Sequence, residues 1–218
     1  MYHSITFGDK NTYDDWHIIA EERPHVEPPE PVYIFDEVPG RNGSLDLTES
    51  LTGLVNYNDR TGSFDFIVEN GFGNWIDRYS EIMRYLQGKR MKMTLEDDPD
   101  FYYIGRYYVS GWETGQNWSN ITIDYQVEPF KYSHDEIVKT FSISGLSTTI
   151  RLRDIEQLTV PTIISTINTT ATFDGRIHSI RMDREVADFG VWPDANGNVD
   201  ITFTGTGSVT IKYRRVRL

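Results

Sequence analysis

Between Ile121 and Val127 apolar and polar residues alternate without a break: Ile121, Ile123, Tyr125 and Val127 against Thr122, Asp124 and Gln126. A period of two sends successive side chains to opposite faces, so this segment predicts a strand with one buried face. The same period sets Phe64, Phe66 and Val68 against Asp65 and Ile67, and Met91, Met93 and Leu95 against Lys92 and Thr94. Tyr102, Ile104 and Tyr107 to Val109 predict a returning strand after the acidic turn Glu96-Asp97-Asp98-Pro99-Asp100. The rhythm changes once. Trp75, Ile76, Tyr79, Ile82, Met83 and Leu86 follow helical steps and lay one apolar stripe along a helix over about residues 74–87, with Asn74 as N-cap and Gly88 as stop.

Shorter signals fill the rest of the first part. Ser4 to Phe7 and Trp16 to Ala20 predict strands around the polar turn Gly8-Asp9-Lys10-Asn11. From Glu21 to Pro31 the chain is acidic and rich in proline; Pro24, Pro28, Pro29 and Pro31 remove backbone donors and predict an extended arm instead of a central strand. Tyr33, Phe35 and Val38 begin the next extended piece, and Val38-Pro39-Gly40-Arg41-Asn42-Gly43-Ser44 is a compact turn. Glu128-Pro129-Phe130-Lys131-Tyr132 ends the cleanest strand and marks a boundary. Beyond it, short strands recur about every ten residues (Phe141–Ile143, Pro161–Ile167, Ala171–Phe173, Ile177–Met182, Val199–Phe203, Val209–Tyr213), the spacing of a small β-sandwich without a helix. The expected organisation is mainly β: residues 1–132 a sandwich-type domain with one helix, residues 133–218 a second, smaller sandwich.

Composition narrows the chemistry. Of 218 residues 38% are apolar and none is cysteine, which excludes disulfides, thiolate metal sites and cysteine nucleophiles. No apolar run approaches the ~20 residues that span a bilayer, and the first residues form neither a basic nor an apolar signal region, so a soluble chain without export signal or membrane contact is expected. The net charge of -12 is uneven: residues 1–132 hold 23 acidic against 11 basic residues, and residues 133–218 hold 10 of each. Such a first part repels phosphates and argues against sequence-specific nucleic-acid binding, while suiting a passage through which DNA slides without sticking. The five histidines lack the spacing of a helical metal site, and Gly71-Phe72-Gly73 lacks the Lys and Ser/Thr of a phosphate loop. Asp97, Asp98 and Asp100 are the best-grouped carboxylates, but no central Gly and closing Glu follow them as a calcium loop requires. Neither catalytic residue, cofactor nor metal is expected.

One order of features is specific. Phe7-Gly8 stands near the start, then Val38-Pro39-Gly40-Arg41-Asn42-Gly43 with Leu45-Asp46, then an aromatic strand and a helix ending Leu86-Gln-Gly-Lys. Leu95-Glu-Asp-Asp-Pro-Asp-Phe-Tyr-Tyr-Ile-Gly-Arg106 and Val127-Glu-Pro-Phe-Lys-Tyr132 follow. Over about residues 1–132 this order resembles the distal tail protein (Dit) family of bacteriophages with long non-contractile tails. The resemblance implies an N-terminal domain that assembles into a homo-hexameric ring at the tail tip, and a galectin-like C-terminal sandwich projecting from it. It further implies partners in the tail tube, the tape-measure protein and the baseplate or tail fibre, and a place in the virion after assembly in the host cytoplasm. The arm prolines Pro24, Pro28, Pro29 and Pro31 are the expected contact with a neighbouring subunit.

Two other classes compete. A carbohydrate- or receptor-binding module would use Trp112, Trp118 and Trp192 as sugar platforms, against the commoner role of such residues in a core. A tail-associated hydrolase would rest on Asp98. The basic end Lys212, Arg214, Arg215 and Arg217 suits either a solvated terminus or an acidic partner.

Overall fold

The computed structural model describes residues 3–50, 53–68, 74–115 and 119–218. It is mainly β with one helix among these residues, the fold class the alternation predicts. The chain divides into two compact units, Met1–Lys131 with Leu218, and Tyr132–Arg217.

In the first unit the strands are β1 (Ile5–Phe7), β2 (Lys10–Asn11), β3 (Ile18–Ala20), β4 (Pro31–Val32), β5 (Phe35–Asp36), β6 (Leu45–Asp46), β7 (Asn56–Tyr57) and β8 (Arg60–Val68). Helix α1 (Trp75–Leu86), β9 (Lys89–Leu95), β10 (Phe101–Thr114) and the start of β11 (Ser119–Ile143) complete it. The main sheet runs β3-β8-β11-β10-β9-β1-β2. β8 pairs antiparallel with β11 from Arg60↔Val127 to Ile67↔Asn120, which puts Phe64, Phe66, Ile121 and Ile123 on one buried face. Both ends of the sheet meet in a single core, because Ile18 on β3 is buried with Ile5 and Phe7 on β1. The connection is hydrogen-bonded: Ile18 N donates to Thr12 O at 2.9 Å, and Thr12 N donates to Ile5 O at 2.9 Å.

Helix α1 begins at the predicted cap, where the Asn74 side chain accepts from Ile76 N at 3.1 Å, and the chain leaves it through Gly88 at φ +67. Ile82 and Leu86 are fully buried, each worth about 1.5–3 kcal/mol. Ile76 departs from its expected place on the stripe and is 62% exposed. It lies in the first turn, where Trp75 and Tyr79, partly buried against the core, take up the contact instead.

β11 corrects the predicted strand end. It continues through Glu128-Pro129-Phe130 to Ile143, joining the segments predicted separately as Ile121–Val127 and Phe141–Ile143. A proline is tolerated in a strand where its missing donor is not needed for the ladder.

The second unit uses the end of β11 with β12 (Thr148–Leu152), β13 (Thr162–Ser165), β14 (Thr169–Phe173), β15 (Arg176–Ile180), β16 (Val199–Phe203) and β17 (Gly207–Arg217). One layer is β12-β16-β14-β15 and the other β13-β17-β11. Their facing residues, among them Ile150, Ala171, Ile201 and Phe203 from the first and Ile143, Ile163 and Ile211 from the second, form one core. The basic end is engaged within this unit. Lys212 pairs with Glu185 at 2.8 Å and Arg217 with Glu156 at 2.7 Å, while Arg214 donates to the Ser133 carbonyl at 3.1 Å and also to that of His134.

Candidate functional site

The proline-rich arm is held against the strand beneath it by a set of polar contacts. A period of two places Arg60 on the face of β8 that carries Phe64, Phe66 and Val68, and Arg60 is 5% exposed. Its Nε donates to the Pro129 carbonyl at 2.7 Å and its Nη1 to the Glu27 carbonyl at 3.1 Å. Nη2 is enclosed without an acceptor among the described residues. The guanidinium lies 5.5 Å from the centre of the Tyr103 ring, and burial pulls its pKa below the ordinary arginine value. Arg60 was not singled out from sequence. The signal was available, since strict alternation back from Phe64 reaches it.

Along the arm, Glu21 N donates to Asp65 O at 2.9 Å, and Asn120 Nδ2 donates to Glu21 Oε1 at 2.7 Å. Arg23 pairs with Asp97 at 2.7 Å, Glu27 N donates to the Tyr125 hydroxyl at 3.3 Å, and Asn58 N donates to Glu30 O at 2.9 Å. β4 then pairs with β7, Pro31 opposite Tyr57. The extended run expected of Glu21–Pro31 is present, and it is fastened to its own chain. Pro24 is buried, Pro29 and Pro31 are half-buried, and Pro28 is exposed. A cavity of about 320 Å³ lies between arm and β8, walled by Pro24, His25, Phe64 and Tyr125. The Glu27 carboxylate, hydrogen-bonded to the ring, raises the pKa of His25, and Arg23 lowers that of Asp97. Asp98 pairs with Lys131 at 2.7 Å, so two carboxylates of the acidic turn are held in ion pairs. Among the described residues no group of three or more His, Asp or Glu converges as a metal site would require.

Beyond the arm the surface becomes apolar. β5 pairs with β6, Phe35 opposite Asp46, across a turn in which Gly40 and Gly43 take φ of +83 and +79. The rings of Tyr33 and Phe35 stack at 6.1 Å yet are 63% and 59% exposed, and Ile34 and Val38 beside them are exposed as well. Exposed apolar side chains so close in sequence are more than the scattered single ones usual at a surface.

Of the tryptophans named as sugar platforms, Trp112 and Trp192 each pack in an aromatic pair or cluster of their own unit. Trp112 stacks on Tyr79 at 4.5 Å and touches Trp75 at 5.7 Å in the first unit. Trp192 stands edge-to-face with Phe173 at 4.8 Å in the second. Trp118 lies outside the described residues.

These features define a class: a two-unit, mainly β protein with exposed aromatic and aliphatic side chains on its first unit. Among solved structures, the crystal structure of SPP1 Dit (gp 19.1) matches with a TM-score of 0.68 over 100% of this chain and 100% of that one, at 17% sequence identity. That protein is described as a paradigm of the hub adsorption apparatus in phages that infect Gram-positive hosts. No protein-family model matches the sequence, and no curated protein matches it. The likeness is therefore one of fold.

Proposed function

We propose that this chain is a structural hub of a phage tail tip, acting as a scaffold and not as a catalyst. The observation that carries the reading is the end-to-end correspondence of fold with a hub protein, found in a chain whose first part resembles distal tail proteins in the order of its motifs. Six copies close into a ring through their first units. A closed ring repeats one heterologous contact, so each subunit needs two different surfaces. The exposed Pro28 and the Tyr33–Val38 group supply one of them; Pro29 and Pro31 set its position, and Pro24 anchors the arm from within. The ring joins the tail tube and tape-measure protein on one side to the baseplate or tail fibre on the other. The acidic excess of residues 1–132 lines the opening and repels the passing DNA.

Light scattering across a range of concentrations, with negative-stain images of the same sample, tests this. A six-subunit mass and rings with an open centre are expected. A monomer at every concentration would overturn self-assembly through the first unit.

A further inference from the structure

The second unit carries a small cavity that the hub role does not use. At one end of the β12-β16-β14-β15 layer, Phe173 closes β14, the Asp174-Gly175 turn leads into β15, and Asn198 precedes β16. Between them Trp192 and Asp194 complete the wall of a hollow of about 260 Å³, with Asp200 at its edge. We propose that this hollow binds one ring of a neutral saccharide, with Trp192 as the apolar platform.

Three observations support that ligand class. Trp192 is half-buried, and its edge-to-face contact with Phe173 fixes the indole. An aromatic surface of this kind suits the C–H face of a pyranose, and the carboxylates and amide around it suit hydroxyls, the carboxylates as charge-assisted acceptors. The polar wall is also preorganised. Asp194 Oδ1 accepts from Asn196 N at 2.8 Å and Asn198 N at 2.9 Å, Asp194 N donates to Asn198 O at 2.8 Å, and Asp200 is held by Arg151 at 2.7 and 2.6 Å. A wall fixed before binding spares the ligand the cost of ordering it. The hollow is open to solvent and, at about 260 Å³, is of a scale with a single ring.

Charge decides between sugars. No Lys or Arg lines the hollow, and once Arg151 neutralises Asp200, Asp174 and Asp194 leave it negative. A uronic acid or a phosphorylated sugar is repelled where a neutral ring is accepted. This inference goes beyond the hub reading and does not depend on it, since a chain that fails to form rings still has the hollow.

The test is saturation-transfer NMR on the full chain with methyl glycosides of glucose, galactose and N-acetylglucosamine, and with glucuronic acid. Transfer from at least one neutral glycoside is expected at about millimolar affinity, as befits one ring. Trp192→Ala should lower it at least about fivefold, while Trp112→Ala leaves it unchanged. Glucuronic acid should bind several-fold more weakly than the glucose glycoside, and Asp174→Asn should narrow that gap, since Asn tolerates the left-handed φ of +48 at this position. If Trp192→Ala fails to fold, the Asp174→Asn comparison decides. No transfer from any neutral glycoside, full binding by folded Trp192→Ala, or equal binding of glucuronic acid in wild type would each overturn the proposal.

Discussion

A Cβ built on Gly8 would lie 2.5 Å from the Tyr85 hydroxyl, which accepts from Asp9 N at 3.2 Å and has the Asp9 carboxylate and, at 3.0 Å, the Phe7 carbonyl as acceptors for its one proton. Gly8 also takes φ +63 in the turn between β1 and β2. Gly8→Ala therefore meets two separate costs, about 1–2 kcal/mol for the left-handed backbone and a steric cost from the hydroxyl. In a double-mutant cycle by denaturant unfolding, Tyr85→Phe should recover the steric part and leave the backbone part. Additive effects would show that the hydroxyl does not oppose the side chain.

Arg60 ties the arm to the middle of β11, where Pro129 lies. Arg60→Met keeps an apolar stem in the core and frees the Glu27 carbonyl, so the loss should be local. Cleavage by a Glu-specific protease within Glu21–Glu30 should quicken about fivefold or more, the factor that ~1 kcal/mol of local opening produces. A melting curve on the same variant should shift by only a few degrees. Unchanged cleavage would mean that the remaining arm contacts suffice.

In the proposed ring, the exposed side chains of Tyr33 and Phe35 would bear on assembly more than on folding. Phe35→Ser and Tyr33→Ser should alter monomer stability by about 0.5 kcal/mol or less, as surface changes do, while shifting light-scattering mass from rings to smaller species. Rings of full stoichiometry in the double variant would remove this surface from the contact.

Burial raises the phenol pKa values of Tyr103, Tyr107 and Tyr125 in the first unit and of Tyr213 in the second. The folded state thus holds these protons more tightly than the unfolded state, whose phenols ionise near the ordinary value of about 10. Their contribution to stability is complete below that pH and is lost as pH rises through the raised values. Alkaline titration should show phenolate absorbance from the buried tyrosines appearing together with loss of far-UV structure. Full ionisation with the fold intact would contradict their burial.

Much of this architecture is legible in the alternation of side chains. β8, β9 and β11 carry a clean period of two because each has one buried face, and α1 is bracketed by a working cap and a left-handed glycine. What escaped has physical reasons. Pro129 reads as a strand end, yet a single missing donor does not stop a strand whose other groups are satisfied. Ile76 fits the helical stripe by spacing but sits in a first turn where neighbouring aromatics already occupy the space. Arg60 is in phase with Phe64 and Phe66, so alternation marks its position as buried, but its charge argues for the surface and hides it. Gly105 is equally silent: a side chain there would strike the backbone of Gln126 and Val127, a constraint set by a strand far along the sequence. The tryptophans named as platforms illustrate the same limit, since spacing says nothing of Tyr79 stacked on Trp112 or Phe173 against Trp192.

The fastening of the arm to its own chain bears on how subunits would meet. A segment that had to condense onto a neighbour would make each joining step a folding step, slow and with a large heat-capacity change. Here hydrogen bonds at Glu21, Glu27 and Glu30 are already closed within one chain. Subunits would then arrive as finished pieces, and the pace of ring closure would be set by encounter and orientation, near the ~10⁵–10⁷ M⁻¹s⁻¹ of rigid docking.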